Sequence, residues 1–177
     1  DNLEFVEQTE QLGTGHAVAQ ARDALAGFEG DALVLYGDTP FIRPETLAAM
    51  TAARVTHDVV VLGFEAADPG RYGRLIMQDD QLDRIVEFKD ASDAERAITT
   101  CNSGLLCADA ATLMRLLRKV RNDNAAGEYY LTDLPALANA DGLSATAVLC
   151  EEAATLGINS RAELAAAEAH FQTLRRA

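Results

Sequence analysis

The residues able to do chemistry in this sequence are polar groups set beside glycines at the ends of apolar runs. Asp38 follows Tyr36-Gly37 at the end of the run Ala32-Leu33-Val34-Leu35. In open α/β sheets ligands bind beyond the carboxyl ends of the strands. A carboxylate at that place can hold Mg²⁺ against substrate phosphates, because this ion commonly takes only one or two protein oxygens for that purpose. Gly37 permits close backbone approach there. Asn159, in Gly157-Ile158-Asn159-Ser160-Arg161, offers a second oxygen for the same ion. Both residue types also serve as turn or helix caps, so each alone is compatible with a purely structural role.

A second group is built from amides and glycines. Gln8-Thr9-Glu10-Gln11-Leu12-Gly13-Thr14-Gly15-His16-Ala17 leads into a Gly-x-Gly turn and then a helix. Such a turn exposes backbone amides to a ligand, and a glutamine amide both donates to and accepts from a base edge. His16 reads as a helix-start residue with a local hydrogen bond. Glu87 in Val86-Glu87-Phe88-Lys89 shares one strand face with Lys89 by alternation, where it can accept from sugar hydroxyls or simply form a surface ion pair. Asn102-Ser103-Gly104 places an amide beside a glycine within a strand. Gly70-Arg71-Tyr72-Gly73-Arg74 reads as a basic glycine turn, and Glu128-Tyr129-Tyr130-Leu131-Thr132-Asp133 is dense in hydrogen-bonding groups.

Several chemistries are poorly supported. His16, His57 and His170 show no metal-ligand spacing, no Gly-x-Ser-x-Gly elbow occurs, and no Gly-Lys-Ser/Thr P-loop is present. Cys101, Cys107 and Cys150 form neither a zinc pattern nor an even disulfide set, and read as core or near-core residues. The net charge of −13 comes from 15 Lys+Arg against 28 Asp+Glu, a balance that speaks against nucleic-acid binding. It also means that anionic substrates need local cations, helix N-termini or a metal ion. No apolar segment approaches the roughly 20 residues of a membrane span, and Asp1-Asn2-Leu3-Glu4 lacks the basic start of a signal peptide, so a cytoplasmic protein is expected.

The elements that must position these groups alternate. Strands are expected at 3–6, 32–36, 58–64, 98–107, 144–149 and 155–158, with a hairpin from 73–77 and 82–88 around Gln78-Asp79-Asp80-Gln81. Helices are expected at 16–28, after Pro44, at 110–120 and at 129–140 with a start or break near Pro135. Ser92 with Glu95 and Ser160 with Glu163 are capping-box pairs, the second opening a last helix with Leu164, Ala167, Phe171 and Leu174 on one face. Apolar runs between helices predict an α/β domain with a mixed, mostly parallel sheet, helices on both faces and a small antiparallel extension.

Taken in order, Gln-x-Glu-Gln-Leu-Gly-Thr-Gly-His-Ala, Tyr-Gly-Asp-Thr-Pro, Tyr-Gly-Arg, Val-Glu-Phe-Lys-Asp-Ala, Asn-Ser-Gly, Gly-Glu-Tyr-Tyr-Leu-Thr-Asp and Gly-Ile-Asn-Ser-Arg resemble one family. It is the uridyltransferase domain of bifunctional N-acetylglucosamine-1-phosphate uridyltransferase/glucosamine-1-phosphate acetyltransferase, and the likeness covers nearly the whole chain. The resemblance implies a Rossmann-like nucleotidyltransferase (nucleotide-diphospho-sugar transferase) fold. It implies transfer of a uridylyl group from UTP to N-acetylglucosamine 1-phosphate, giving UDP-N-acetylglucosamine and pyrophosphate with Mg²⁺. It implies that Gln8, Gly13 and Thr14 contact the uracil and ribose, and that Tyr36 and Gly37 belong to the substrate-binding set, with Gly37 beside the nucleotide. Asp38, the catalytic residue, and Asn159 would hold the metal, and Gly73, Glu87, Asn102, Tyr130 and Thr132 would line the sugar site.

The family's opening Leu-x-x-Gly-x-Gly-Thr-Arg-Met loop and its Pro-Lys-Val segment have no counterpart here. Residues 1–177 are therefore expected to be one partial domain, without its N-terminal βαβ portion and the C-terminal β-helix acetyltransferase domain. The resemblance makes a homo-oligomer, a trimer, possible for the full-length protein, though the sequence itself does not show an oligomeric state. Two alternatives stay open: another sugar-1-phosphate or cofactor nucleotidyltransferase, or a non-catalytic nucleotide-sugar binding module.

Overall fold

A computed structural model describes residues 3–176, without the side chains of His170, Leu174 and Arg176. The expectations resting on Asp1, Asn2 and those side chains, including Leu174 on the last helix face, lie outside the described residues.

The core grows around one strand. β2 (Val59–Glu65) is a run of β-branched and aromatic residues buried on both faces up to Phe64. Val59 and Val61 face one apolar cluster with Leu113, Leu116, Leu134 and Ala138, while Val60 and Leu62 face another with Met50, Leu105 and Cys107. Helices supply the two covers. α4 (Ala110–Leu117) and α5 (Leu134–Ala140) lie on the first side, and α2 (Pro44–Ala53) lies on the second.

The remaining strands are β1 (Asp31–Val34), β3 (Arg74–Gln78), β4 (Gln81–Val86), β5 (Thr100–Asp109) and β6 (Ala145–Cys150). They order as β4-β3-β5-β2-β6, with β1 also paired to β5. The sheet is mixed, and β3 and β4 form the expected antiparallel hairpin, turning at Asp79 with φ 54°. The expected parallel majority is corrected, since β2–β6 is the parallel pairing and β1–β5, β2–β5, β3–β4 and β3–β5 are antiparallel. Burial on both faces shows that a strand is covered by helices, and it does not show which way its neighbour runs.

Two expected strands are also corrected. Residues 3–6 form no strand, and Leu3 and Phe5 stand exposed because no described strand lies beside them to accept their backbone bonds. Residues 155–158 follow a 3-10 turn at Glu152–Thr155, and Ile158 N–H is spent on Asp38 O at 2.9 Å. The first helix is shorter than expected, α1 (Thr14–Ala19) giving way to a 3-10 turn over Gln20–Arg22. The helix expected from Tyr129 starts as a 3-10 turn at Leu131, with Pro135 in the first turn of α5.

The first capping box forms in full, and the second forms in half, because the Glu163 carboxylate reaches the N–H of Asn159 and not that of Ser160. Ser92 opens α3 (Asp93–Arg96) with a complete capping box to Glu95. Ser160 Oγ accepts from Glu163 N–H at 3.2 Å ahead of α6 (Arg161–Arg176), while the Glu163 carboxylate accepts from Asn159 N–H at 2.7 Å. Cys101 and Cys107 are buried, Cys150 is half-buried, and all three are free thiols.

Candidate functional site

The groups with chemical potential gather where α1, the end of β1, the end of β4 and the start of β5 meet. Tyr36 is the centre of that meeting. Its phenol is the hydrogen-bond partner of the Thr14 side chain. Burial pushes its pKa up, and the nearby charges of Glu87 and Asp38 push the same way. A glycine is required beside it. Gly104 has φ +92°, and a methyl group built there would run into the Tyr36 ring.

The residues expected to line the sugar site are tied to one another. Glu87 accepts from Thr132 Oγ1 at 3.0 Å. Burial raises its pKa, opposed by that hydrogen bond and reinforced by Asp90 and Glu128. A Cβ on Gly73 would lie 3.5 Å from Glu87 Oε1 and 3.6 Å from Asn102 Cβ, so Gly73 brings bare backbone against both. Asn102 is buried, its N–H donating to Gly73 O at 2.8 Å and its Oδ1 accepting from Gly104 N–H at 3.0 Å. Tyr130 stands across a cleft of about 310 Å³ that is also lined by Arg71, Glu87, Phe88, Lys89, Ala126 and Glu128. Glu87 and Lys89 both line this cleft, but the expected shared strand face is corrected: β4 stops at Val86, and residues 87–90 form a turn closed by Asp90 N–H on Glu87 O at 2.9 Å.

The turn expected to meet the nucleotide is equally constrained. Gly13 has φ +110°, and a Cβ there would come within 2.7 Å of Tyr129 O. Gln8 Nε2 donates to Gly13 O at 3.1 Å and contacts His16 Nδ1 at 3.0 Å. His16 is held at its other ring nitrogen by Gln20 at 3.2 Å, the local structural role expected of it.

Asp38 and Asn159 form a separate, exposed edge. Ile158 N–H donates to Asp38 O at 2.9 Å, which brings the residue before Asn159 onto the Asp38 backbone. Gly37 lies in the open, with nothing within 4 Å of a Cβ placed there. Among the described residues no group of three or more His, Cys, Asp or Glu side chains is placed to hold a metal. One carboxylate and one amide oxygen, both open to solvent, nevertheless fit the hard-oxygen preference of Mg²⁺ where substrate phosphates and water supply the other ligands.

A scan against protein-family models matches the nucleotidyl transferase family over residues 2–153. The chain belongs to that family. Among curated relatives it is 70% identical over 170 residues to the bifunctional protein GlmU of Jannaschia sp. (strain CCS1), covering 96% of this chain and 37% of that protein. It is 64% identical over all 177 residues to the bifunctional protein GlmU of Cereibacter sphaeroides (strain ATCC 17025 / ATH 2.4.3), covering 39% of it. The chain thus spans under two-fifths of the length of these relatives. Among solved structures, a nucleoside-diphosphate-sugar pyrophosphorylase from Vibrio cholerae RC9 superposes with a TM-score of 0.70 at 16% identity, covering 90% of this chain and 66% of that one. That likeness shows the nucleotidyltransferase fold.

Sequence reasoning did not assign the cations of this nucleotidyltransferase cleft. Arg71 and Lys89 are exposed at its mouth, and neither forms an ion pair among the described residues. The signal was available in the acidic net charge, which demands local cations. Gly104 was visible only as part of Asn-Ser-Gly, and its contact with Tyr36, 68 positions earlier, has no local trace in the sequence.

Proposed function

We propose that this nucleotidyltransferase domain joins UTP to N-acetylglucosamine 1-phosphate, giving UDP-N-acetylglucosamine and pyrophosphate. The observation that carries the reading is the convergence of Thr14, Tyr36, Glu87, Asn102 and Thr132 on one site, with Asp38 at its open edge. Identity above 60% to proteins named GlmU supports the same substrates.

In this reading a phosphate oxygen of the sugar 1-phosphate attacks the α-phosphorus of UTP, and the bond to the β,γ-pyrophosphate breaks. The attacking oxygen is already anionic, so the chain needs no general base. Its work is alignment. Gln8, Gly13 and Thr14 hold the base and ribose, with Tyr36 and Gly37 beside the nucleotide. Glu87 and Thr132, joined by their hydrogen bond, take sugar hydroxyls together with Asn102 and Tyr130, and the backbone of Gly73 closes the floor. Arg71 and Lys89 draw the anionic sugar to the cleft. Asp38 and Asn159 would hold Mg²⁺, which when bound neutralises charge between the two phosphates and aligns them. A cytoplasmic location belongs to the same reading; no described helix is long and apolar enough to cross a membrane.

The test is pyrophosphate release by the full-length protein across a panel of nucleoside triphosphates and sugar 1-phosphates. Release is expected with UTP and N-acetylglucosamine 1-phosphate above all other pairs. A different preferred pair reassigns the substrates, and binding of UDP-sugar without release makes the domain a binding module. Asp38→Asn is expected to lower turnover about 100- to 1000-fold, the equivalent of several kcal/mol of lost transition-state stabilisation, with a smaller effect on sugar-nucleotide affinity. Turnover unchanged across a Mg²⁺ titration would remove the metal-holding role.

A further inference from the structure

The segment 121–130 joins the two halves of the site. Its far end is fastened to the nucleotide side: Tyr129 N–H donates to Leu12 O at 2.8 Å, Gly15 N–H to Tyr129 O at 2.8 Å, and Leu131 N–H to Thr14 Oγ1 at 3.1 Å. The middle of the segment is knotted on itself. Asn124 Oδ1 accepts from Ala126 N–H and Glu128 N–H, each at 3.2 Å, and its Nδ2 donates to Glu128 O at 2.6 Å. Gly127 N–H closes the knot on Asn124 O at 3.1 Å, with Gly127 at φ +70°, a left-handed conformation that suits glycine. The Tyr130 hydroxyl is hydrogen-bonded to the backbone of Ala126.

This knot carries one wall of the cleft, through Ala126, Glu128 and Tyr130. The opposite wall is Glu87, Phe88 and Lys89. Asp90 ends that second wall in a turn, its N–H donating to Glu87 O at 2.9 Å. Its side chain crosses to the first wall, where Oδ1 accepts from Ala125 N–H at 3.0 Å. An acceptor that bears charge makes this a stronger bond than a neutral pair would make.

We propose that Asp90 is a positioning residue for the sugar phosphate. Its carboxylate tethers the knot at 124–128 across the cleft and so sets the spacing between Glu87 and the Glu128–Tyr130 wall. The proposal rests on the nucleotidyltransferase reading of this cleft. Asp90 touches no substrate and acts through where it holds Ala125. Because the far end of the segment is fastened independently to Leu12 and Thr14, loss of the tether should spare the nucleotide side.

The test compares Asp90→Ala and Asp90→Asn with the parent in the full-length protein, reading KM for each substrate, kcat and hydrogen exchange at the Ala125 amide. Asp90→Ala is expected to raise KM for N-acetylglucosamine 1-phosphate about tenfold and to leave KM for UTP and kcat within about twofold. Its Ala125 amide should exchange faster. Asn keeps an oxygen that accepts, so Asp90→Asn should stay within about twofold of the parent in all of these. Unchanged KM values in Asp90→Ala overturn the proposal, as does a common rise of both KM values with a fall in melting temperature. Asp90→Asn behaving like Asp90→Ala overturns it too, since charge and not the tether would then matter. A parent that turns over no sugar phosphate defeats the proposed function itself, and with it any role of Asp90 toward that substrate. Unchanged Ala125 exchange in Asp90→Ala defeats the tether whatever the substrate.

Discussion

The proposed sugar wall and the Asp38–Asn159 edge are built in opposite ways. On the first, Glu87, Asn102, Gly73 and Thr132 are buried or half-buried and hold one another through hydrogen bonds and backbone contact. At the other edge Asp38 and Asn159 are exposed, and their link is a backbone bond from Ile158 to Asp38. A neutral sugar is recognised by directional hydrogen bonds, which lose strength quickly when donors wander, so its groups must be fixed before binding. Phosphates are recognised by charge, which falls off slowly with distance, so their groups can stay solvated until the ligand brings its own charge to the edge.

Arg74 tests this difference most severely. It is 1% exposed and donates to the carbonyls of Pro69, Gly70, Tyr72 and Arg96, locking the turn that presents Arg71 and Gly73 to α3. Every one of these acceptors is neutral, and its ring contact is Phe88, 5.9 Å from the guanidinium carbon. Arg74→Met keeps bulk but strands those carbonyls, and is expected to cost about 3 kcal/mol or more. Asp38→Asn, at the exposed edge, is expected to change stability by no more than about 0.5 kcal/mol. Urea midpoints with unchanged slopes would measure both. Equal losses would mean that the two regions are built alike.

Gly104→Ala sits where the regions touch. The left-handed backbone and the collision with the Tyr36 ring together predict a loss of about 1–3 kcal/mol. Thermal melting should fall by about 2–4 °C for each kcal/mol in a domain of this size. Tyr36 faces both Thr14 and the carboxylates Glu87 and Asp38, so UTP and sugar nucleotide should both bind more weakly, unlike the one-sided effect expected at Asp90. A melting temperature equal to the parent's would show that the ring has room to move aside.

Local physics made part of this legible in the sequence. Ser92 and Glu95 announce a helix start because the capping box closes within four residues. The β3–β4 hairpin is readable for the same reason. What escaped depends on partners distant in the chain. Asp90 meets Ala125 35 positions away, and Glu87 meets Thr132 45 positions away. The direction of β5 against β2 is set by the path between them and not by either strand's composition. Leu3-Glu4-Phe5-Val6 has the pattern of a strand, but a strand also needs a neighbour. Arg71 and Arg74 read alike as parts of a basic glycine turn, because nothing in Arg-Tyr-Gly-Arg distinguishes the guanidinium that turns inward from the one that lines the cleft.

Asp133, half-buried near the proposed sugar wall, gives a smaller effect than Arg74 or Gly104, and one with a pH signature. Burial raises its carboxyl from an ordinary 3.8 to about 6, helped by the charges of Asp123, Asp90 and Glu87. A carboxyl raised in the folded state favours the protonated native form, so its contribution is fully present below about pH 4 and is lost as pH climbs to about 6. The full shift corresponds to about 3 kcal/mol, which solvent reaching the partly exposed group reduces to about 1 kcal/mol. Asp133→Asn removes the titration while keeping the shape. It is expected to melt higher than the parent at pH 7 by the equivalent of that 1 kcal/mol, and to match it near pH 4. Melting temperatures taken at pH 4, 5, 6 and 7 decide it. A difference that stayed constant across that range would assign the effect to packing and remove the charge repulsion that accompanies a prebuilt, acid-lined sugar wall.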